Sequence, residues 1–408
     1  MFLPKSLFTA IVLLAVSSSI SSPAISAEGR FLTCTEDGWI NKSDASFAAD
    51  CANMAFEGDL ADRQKVAWMF FVRVNQQIAS GKHKGMNGGK TVPQWMAWPT
   101  DPDTFASRQP FDFSAAPRTT MMPSAEKKDL HVGNVSTANP DGANEEVTRN
   151  RISYDYLIKN HLTTRADIAA FFEGNDFVNM PVGTVELKAS WLQVTSGSPA
   201  PDGALTFEFD SGKYWWRGLH IMVKMRELDN PAQMFYSEEP SWFWSTFEFN
   251  GNPGISHVRE TLITQRKPLN KSEIKNLLSA GGLNTPEYQN FAPNGTQIRF
   301  TDNADGVTPV ILGHTDMEDF AGKPNTAQPA YWTSFNASCH SCHATAAYNP
   351  ATAATFPFSS PTGALTARRS NSPIEPGSIA SRDSPIINSG KIKICLFQCS
   401  SDYVMYNF

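Results

Sequence analysis

The sequence predicts an α+β fold, an antiparallel β-meander flanked by helices, and two observations carry that reading. Between Thr184 and Phe249 the apolar residues recur with period two, while on either side they recur with helical period. Turn signals separate the alternating runs, as strands joined by short connections require. Helices on the flanks of such a sheet give the α+β class.

In chain order, Lys5 precedes the apolar run Ile11–Val16, and Ala24-Ile25-Ser26-Ala27 supplies small residues at a cleavage point. Residues 1–27 therefore read as an export signal whose apolar stretch is too short to span a membrane. Leu60 to Ile78 carries a helical stripe through Val66, Met69, Phe70, Val74 and Ile78. Gly81–Lys90 and Pro99–Pro123 read as long loops. Glu145–Asn160 and Thr163–Phe172 read as helices, the second with a threonine cap.

In the strand region, Val185, Leu187, Ala189 and Trp191 alternate with Glu186, Lys188, Ser190 and Leu192. Leu205–Phe209, Tyr214–Met225 and Trp242–Phe249 follow as further strands, separated by Asp210-Ser211-Gly212 and Asp229-Asn230-Pro231. Lys271–Ala280 and Pro286–Phe291 read as short helices, and Gln328–Tyr348 as a last one. From residue 351 the composition shifts to Ser, Pro, Thr and Ala with little to bury, so 351–408 reads as a disordered tail. Residues 28–350 are then one domain.

That last helix holds Cys339-His340-Ser341-Cys342-His343. Two thiols three apart lie on one face of a helical turn, where each can form a thioether to a haem vinyl group. The histidine beside the second thiol offers an imidazole to the iron, so Cys-x-x-Cys-His is the attachment sequence of c-type haem. With six cysteines and eight histidines among 408 residues, a chance match is rare. A closed zinc site wants four ligands, usually in two separated pairs, and no second pair of that spacing is present. A redox dithiol would need the Cys-x-x-Cys between a strand and a helix. The expected cofactor is one covalent haem c, held by Cys339 and Cys342, with His343 as proximal iron ligand.

A net charge of −6 gives no basic footprint for nucleic acid, and beyond the signal no stretch approaches a membrane span. The expected location is the periplasm or the exterior. Cys34 and Cys51 in such a compartment either close a loop or remain two thiols.

In small c-type cytochromes the motif opens the domain and a methionine ligand follows. Here the only methionine after the motif is Met405, in the tail. The sixth iron position is therefore filled from upstream or left open. His220 shares a strand face with Met222 and Lys224; Met317 lies 22 residues before Cys339, with His314 near it. His220 or Met317 is the candidate sixth ligand, with His314 behind them. Tyr214-Trp215-Trp216 and Trp242-Phe243-Trp244 would wall a haem pocket or form ordinary sheet core. Arg217 and Glu248 would pair a propionate, act distally, or be exposed strand charges.

Ala67-Trp68, Phe71-Val72-Arg73-Val74-Asn75, Trp95, Trp98 and Pro181–Trp191 are landmarks of a wider pattern. It continues through Gly218-Leu219-His220-Ile221, Trp242–Glu248, Leu312-Gly313 and Ser338–Ala344. Over roughly residues 60 to 350 the chain resembles a family of large exported bacterial monohaem proteins of the cytochrome c type. The chain departs from the family at Phe249, where a histidine is expected, and at His314, where an asparagine is expected. The resemblance implies haem c and electron transfer outside the cytoplasm, to a redox partner protein or a small-molecule donor or acceptor. It implies no particular reaction. The alternative is a haem enzyme or gas sensor with an open sixth position, acting on peroxide, hydroxylamine or nitric oxide.

Overall fold

The computed structural model describes residues 32–35, 37–81, 84–106, 109–121, 144–174, 178–227, 240–252, 255, 267–299, 310, 312–315, 317, 339, 347–349, 354–356 and 393–394. The class is α+β with antiparallel sheets. Its main sheet contains β3 (Asn144–Arg149), β4 (Val185–Gln193), β5 (Thr206–Phe209), β6 (Gly212–Lys224), β7 (Trp242–Phe249) and β8 (Phe291–Gln297). The order is β3-β4-β6-β7-β8, with β5 paired to the start of β6, and every pairing is antiparallel. A small hairpin, β1 (Gln77–Ala79) with β2 (Thr91–Pro93), stands apart from it.

Helix α1 (Asp44–Phe56) starts at Ser43, whose hydroxyl accepts the Ser46 N–H. Helix α2 (Leu60–Val74) starts at a capping box in which Asp59 and Asp62 each accept the other's backbone N–H. Both helices lie against one face of the sheet. Leu187, Ala189, Leu219, Ile221, Val223, Phe243 and Phe247 project from that face, as strand alternation dictates. Phe71 of α2 stacks on Phe247 at 4.3 Å and also meets Trp68, Trp216, Tyr288 and Phe291. This larger core includes the disulfide Cys34–Cys51, whose Cα atoms are 4.5 Å apart.

The opposite face carries Glu186, Lys188, Ser190, Gly218, His220, Met222, Lys224, Trp242, Trp244, Thr246 and Glu248. A second, smaller core forms over part of it. Met222, Trp242 and Trp244 pack there with Phe105, Leu157 of α3 (Arg151–Lys159), Ile168 of α4 (Arg165–Gly174), Val178, Met180 and Leu312.

Several expectations need correction. Residues 144–149 form strand β3, and the helix expected from Glu145 starts only at Arg151. Asn150 divides them, its side chain accepting the Ser153 N–H as a helix cap and the Val185 N–H from β4. The helix expected to reach Ile78 ends at Val74, and Ile78 belongs to β1. Pro286–Asn290 is a 3₁₀ turn that leads into β8, where no strand was expected. Helix α5 (Lys271–Ala280) forms as expected, with a capping box between Asn270 and Glu273.

Ala347–Asn349 (β9) pairs with Ala354–Phe356 (β10) and Lys393–Ile394 (β11). Ala347–Asn349 is thus strand where a helix to Tyr348 was expected, and residues expected to be disordered contribute two short strands. Cys339 is helical; the rest of 328–346 lies outside the described residues, as does the export signal.

Candidate functional site

Two β-bulges shape the polar face of the sheet. On β6, Ser190 faces Gly218 and Trp191 faces Trp216, so Arg217 is the extra residue. On β8, Thr246 faces Gly295 and Phe247 faces Pro293, so Asn294 is extra. A bulge re-aims a side chain that a regular ladder would send elsewhere. Asn294 donates to Glu248 Oε2 at 2.7 Å and to the Gly313 carbonyl at 2.9 Å. Asn252 donates to Glu248 Oε1 at 2.7 Å and to the carbonyl of the bulged Arg217 at 3.0 Å.

Glu248 is fully buried and also accepts from the Thr315 N–H at 3.3 Å and from the Thr315 hydroxyl. A buried carboxylate is costly unless donors surround it, and here they do. The same bonds tie segment 312–315 to the sheet. Arg217 is buried too, with its guanidinium 5.3 Å from the Trp215 ring centre. Neither Glu248 nor Arg217 is the exposed strand charge that either would be on a regular edge.

His314 is fully buried within this segment, its Nδ1 3.8 Å from Glu248. Its opposite nitrogen lies over Gly218, where a Cβ would sit only 2.2 Å from Nε2. The imidazole is thus caged between a carboxylate and a glycine backbone. His220 is half-buried, and its Nδ1 is 2.7 Å from the Thr246 hydroxyl on the neighbouring strand. The two imidazole centres are 6.0 Å apart at 77°. Met317 is fully buried two residues past Thr315.

Cys339 is partly buried and packs against the smaller core. Its Sγ lies 3.9 Å from the Leu312 carbonyl, two residues from His314. The first thiol of the motif therefore lies beside the segment that carries His314, whose ring faces that of His220. Cys342 and His343 lie outside the described residues. Of the aromatic runs, Tyr214, Trp215 and Trp216 belong to the larger core, whereas Trp242 and Trp244 wall the smaller one beside Met222.

Lys224 closes β6 on the same face, where sequence reasoning assigned it no role. It is 0% exposed, with Nζ 3.4 Å from Asn179 Oδ1 and 5.6 Å from the Trp242 ring centre. Burial lowers its pKa to about 8, against a smaller opposing pull from Glu227. The other cations of this face have carboxylate partners. Lys188 meets Glu145 at 2.6 Å, and Arg149 meets Asp101, with Glu186 3.8 Å away. A lysine amid Leu219–Met225 is the signal that would have marked Lys224 in the sequence.

Among the described residues, no three His, Cys, Asp or Glu side chains are grouped as a metal site. Cys339 packs against the smaller core, to which Met222, Trp242, Trp244 and Leu312 belong, and the imidazole of His220, oriented by Thr246, stands on the same face of the sheet. No family model matches the sequence, and no curated protein or solved structure matches it either.

Proposed function

We propose that the chain is an exported c-type cytochrome that carries electrons outside the cytoplasm on one covalent haem. Cys339 and Cys342 would hold the haem, and His343 would be the proximal ligand, as the motif and the resemblance to exported monohaem cytochromes suggest. The observation that carries the reading is the packing of Cys339 against the smaller core, its Sγ 3.9 Å from the Leu312 carbonyl, beside the segment whose His314 ring faces that of His220. The Cys34–Cys51 disulfide, with the signal-like residues 1–27, supports a periplasmic or secreted location. Among the described residues no helix is long and apolar enough to cross a membrane.

Haem, when bound, supplies a one-electron couple at its iron. The chain's own residues supply the setting. Trp242, Trp244, Met222 and Leu312 would exclude water from a haem held beside them, which would favour its reduced form. Thr246 fixes the His220 ring by its Nδ1, so ligation by His220 would fall to Nε2. Glu248, Asn294 and Thr315 hold segment 312–315 in place, and with it the neighbourhood of Met317. His314 stands close over Gly218, and His220 or Met317 remains the proposed sixth ligand, with an open position as the alternative.

The anchored imidazole of His220 also suits a second reading, a haem enzyme or gas sensor with an open sixth position. Optical spectra of the purified chain, oxidised and reduced, with and without carbon monoxide, separate the two. A low-spin spectrum indifferent to the gas supports the carrier, and His220→Ala or Met317→Ala should then turn it high-spin in one case only. A high-spin, gas-binding spectrum supports the enzyme or sensor. Absence of any haem that survives acid–acetone extraction refutes both.

A further inference from the structure

A lysine ammonium has three donors and a charge that is expensive to bury without a counter-ion. Lys224 is fully buried, yet among the described residues its contacts are one long hydrogen bond to Asn179 and the face of Trp242. No described carboxylate lies within 4.0 Å of it, although Lys188 and Arg149 on the same face each have one. The nearby Glu227 is exposed, and its Oε1 accepts the Val182 N–H at 3.2 Å. Trp242, over which the ammonium sits, belongs to the smaller core against which Cys339 also packs. Lys224 stands four residues along the extended strand from His220, about 13 Å away.

We propose that Lys224 is the cationic anchor of this site, binding a carboxylate of whatever ligand the Cys339 wall holds. The inference rests on the haem reading, because a haem attached at Cys339 brings two propionate carboxylates of its own. A small free carboxylate drawn from solution is the other source of the same chemistry. In either case the ammonium exchanges an uncompensated burial for a charge-assisted pair in an apolar surround, the setting in which such pairs are strongest.

The test uses the haem-loaded full chain with Lys224→Met and Lys224→Arg. Methionine matches the length of the side chain and removes an uncompensated charge, so the fold is expected to survive, as circular dichroism would check. Lys224→Gln takes the place of Lys224→Met if that variant does not accumulate. A propionate anchor predicts that Lys224→Met shifts the propionate bending band in the resonance Raman spectrum and lowers the midpoint potential. Loss of a positive charge favours the oxidised iron, and Lys224→Arg should restore both values towards wild type. A free-carboxylate anchor predicts an unmoved band, together with an acetate-dependent optical change that weakens at least tenfold in Lys224→Met. Band, potential and acetate response all unchanged would overturn the inference. A chain with no covalent haem would sink the reading of Cys339, Cys342 and His343, whereas covalent haem indifferent to Lys224 sinks only the anchor.

Discussion

Substitution of Gly218 by alanine tests whether the cage around His314 is real. The added Cβ would lie 2.2 Å from His314 Nε2 and 2.5 Å from the Phe247 carbonyl oxygen, more than 1 Å and about 1 Å inside ordinary contact at 3.4 Å. On its other side the imidazole stands 3.8 Å from Glu248. The carbonyl belongs to β7, whose pairing with β6 runs from Gly218 to Lys224. Overpacking of this kind costs about 1–3 kcal/mol, and alanine returns about 0.4–1 kcal/mol by restricting the unfolded chain. The expected net loss is about 1–2 kcal/mol, a fall of a few degrees in melting temperature for a domain of this size. Because two obstacles are present, the informative experiment is a double-mutant cycle with His314→Ala, read by denaturant or thermal unfolding. Gly218→Ala should cost less in the His314→Ala background, since only the Phe247 carbonyl then remains in the way. An equal cost in both backgrounds, or none in either, would show that the imidazole does not occupy the space the glycine leaves.

Replacing Cys339 and Cys342 together with alanine should abolish haem that survives acid–acetone extraction; non-extractable haem in that variant would refute the attachment site. In that haem-free chain, Lys224 has a folded pKa of about 8 against 10.5 unfolded, so the folded state binds fewer protons between those values. Stability should accordingly rise as pH climbs from about 8 to 10.5, by up to about 3 kcal/mol, and be lowest below pH 8. Chemical denaturation across that window should show the rise, and adding Lys224→Met should flatten it. Converting Cys34 and Cys51 to alanine opens a loop with a sequence separation of 17 and should cost about 3 kcal/mol in the same assay. A midpoint that does not move would show that the disulfide contributes nothing to stability.

The central strands were legible because their faces differ. Leu187, Ala189 and Phe247 alternate with polar residues, as Leu219 and Ile221 do around His220, and that period of two marks strands. The edge strands were not. Asn144–Arg149 carries two adjacent glutamates that suit a helix, and only its pairing with β4 makes it a strand. Phe291–Gln297 contains Pro293, Asn294 and Gly295, all turn formers, which an edge strand tolerates where it bulges. At the candidate site, the cysteines, His220 and Met317 could be named from spacing and strand context. The roles of Glu248, Gly218 and Lys224 could not. Each depends on what the fold brings opposite: asparagines for Glu248, an imidazole for Gly218, and an aromatic ring in place of a carboxylate for Lys224.

Among the described residues, the larger core lies between Cys34 and Ile298 in the chain, ahead of Cys339. A polypeptide delivered across a membrane N-terminus first can therefore complete that core while the Cys-x-x-Cys-His segment is still in transit. Small cytochromes whose motif opens the domain face the reverse order, since their chain must gather around a prosthetic group already bound near its beginning. For the exported cytochrome proposed above, the attachment machinery would meet a finished scaffold and a late-arriving tether. On the proposed reading, a failure of ligation would leave a folded, haemless protein rather than an unfolded one, a difference that would matter for survival among extracytoplasmic proteases.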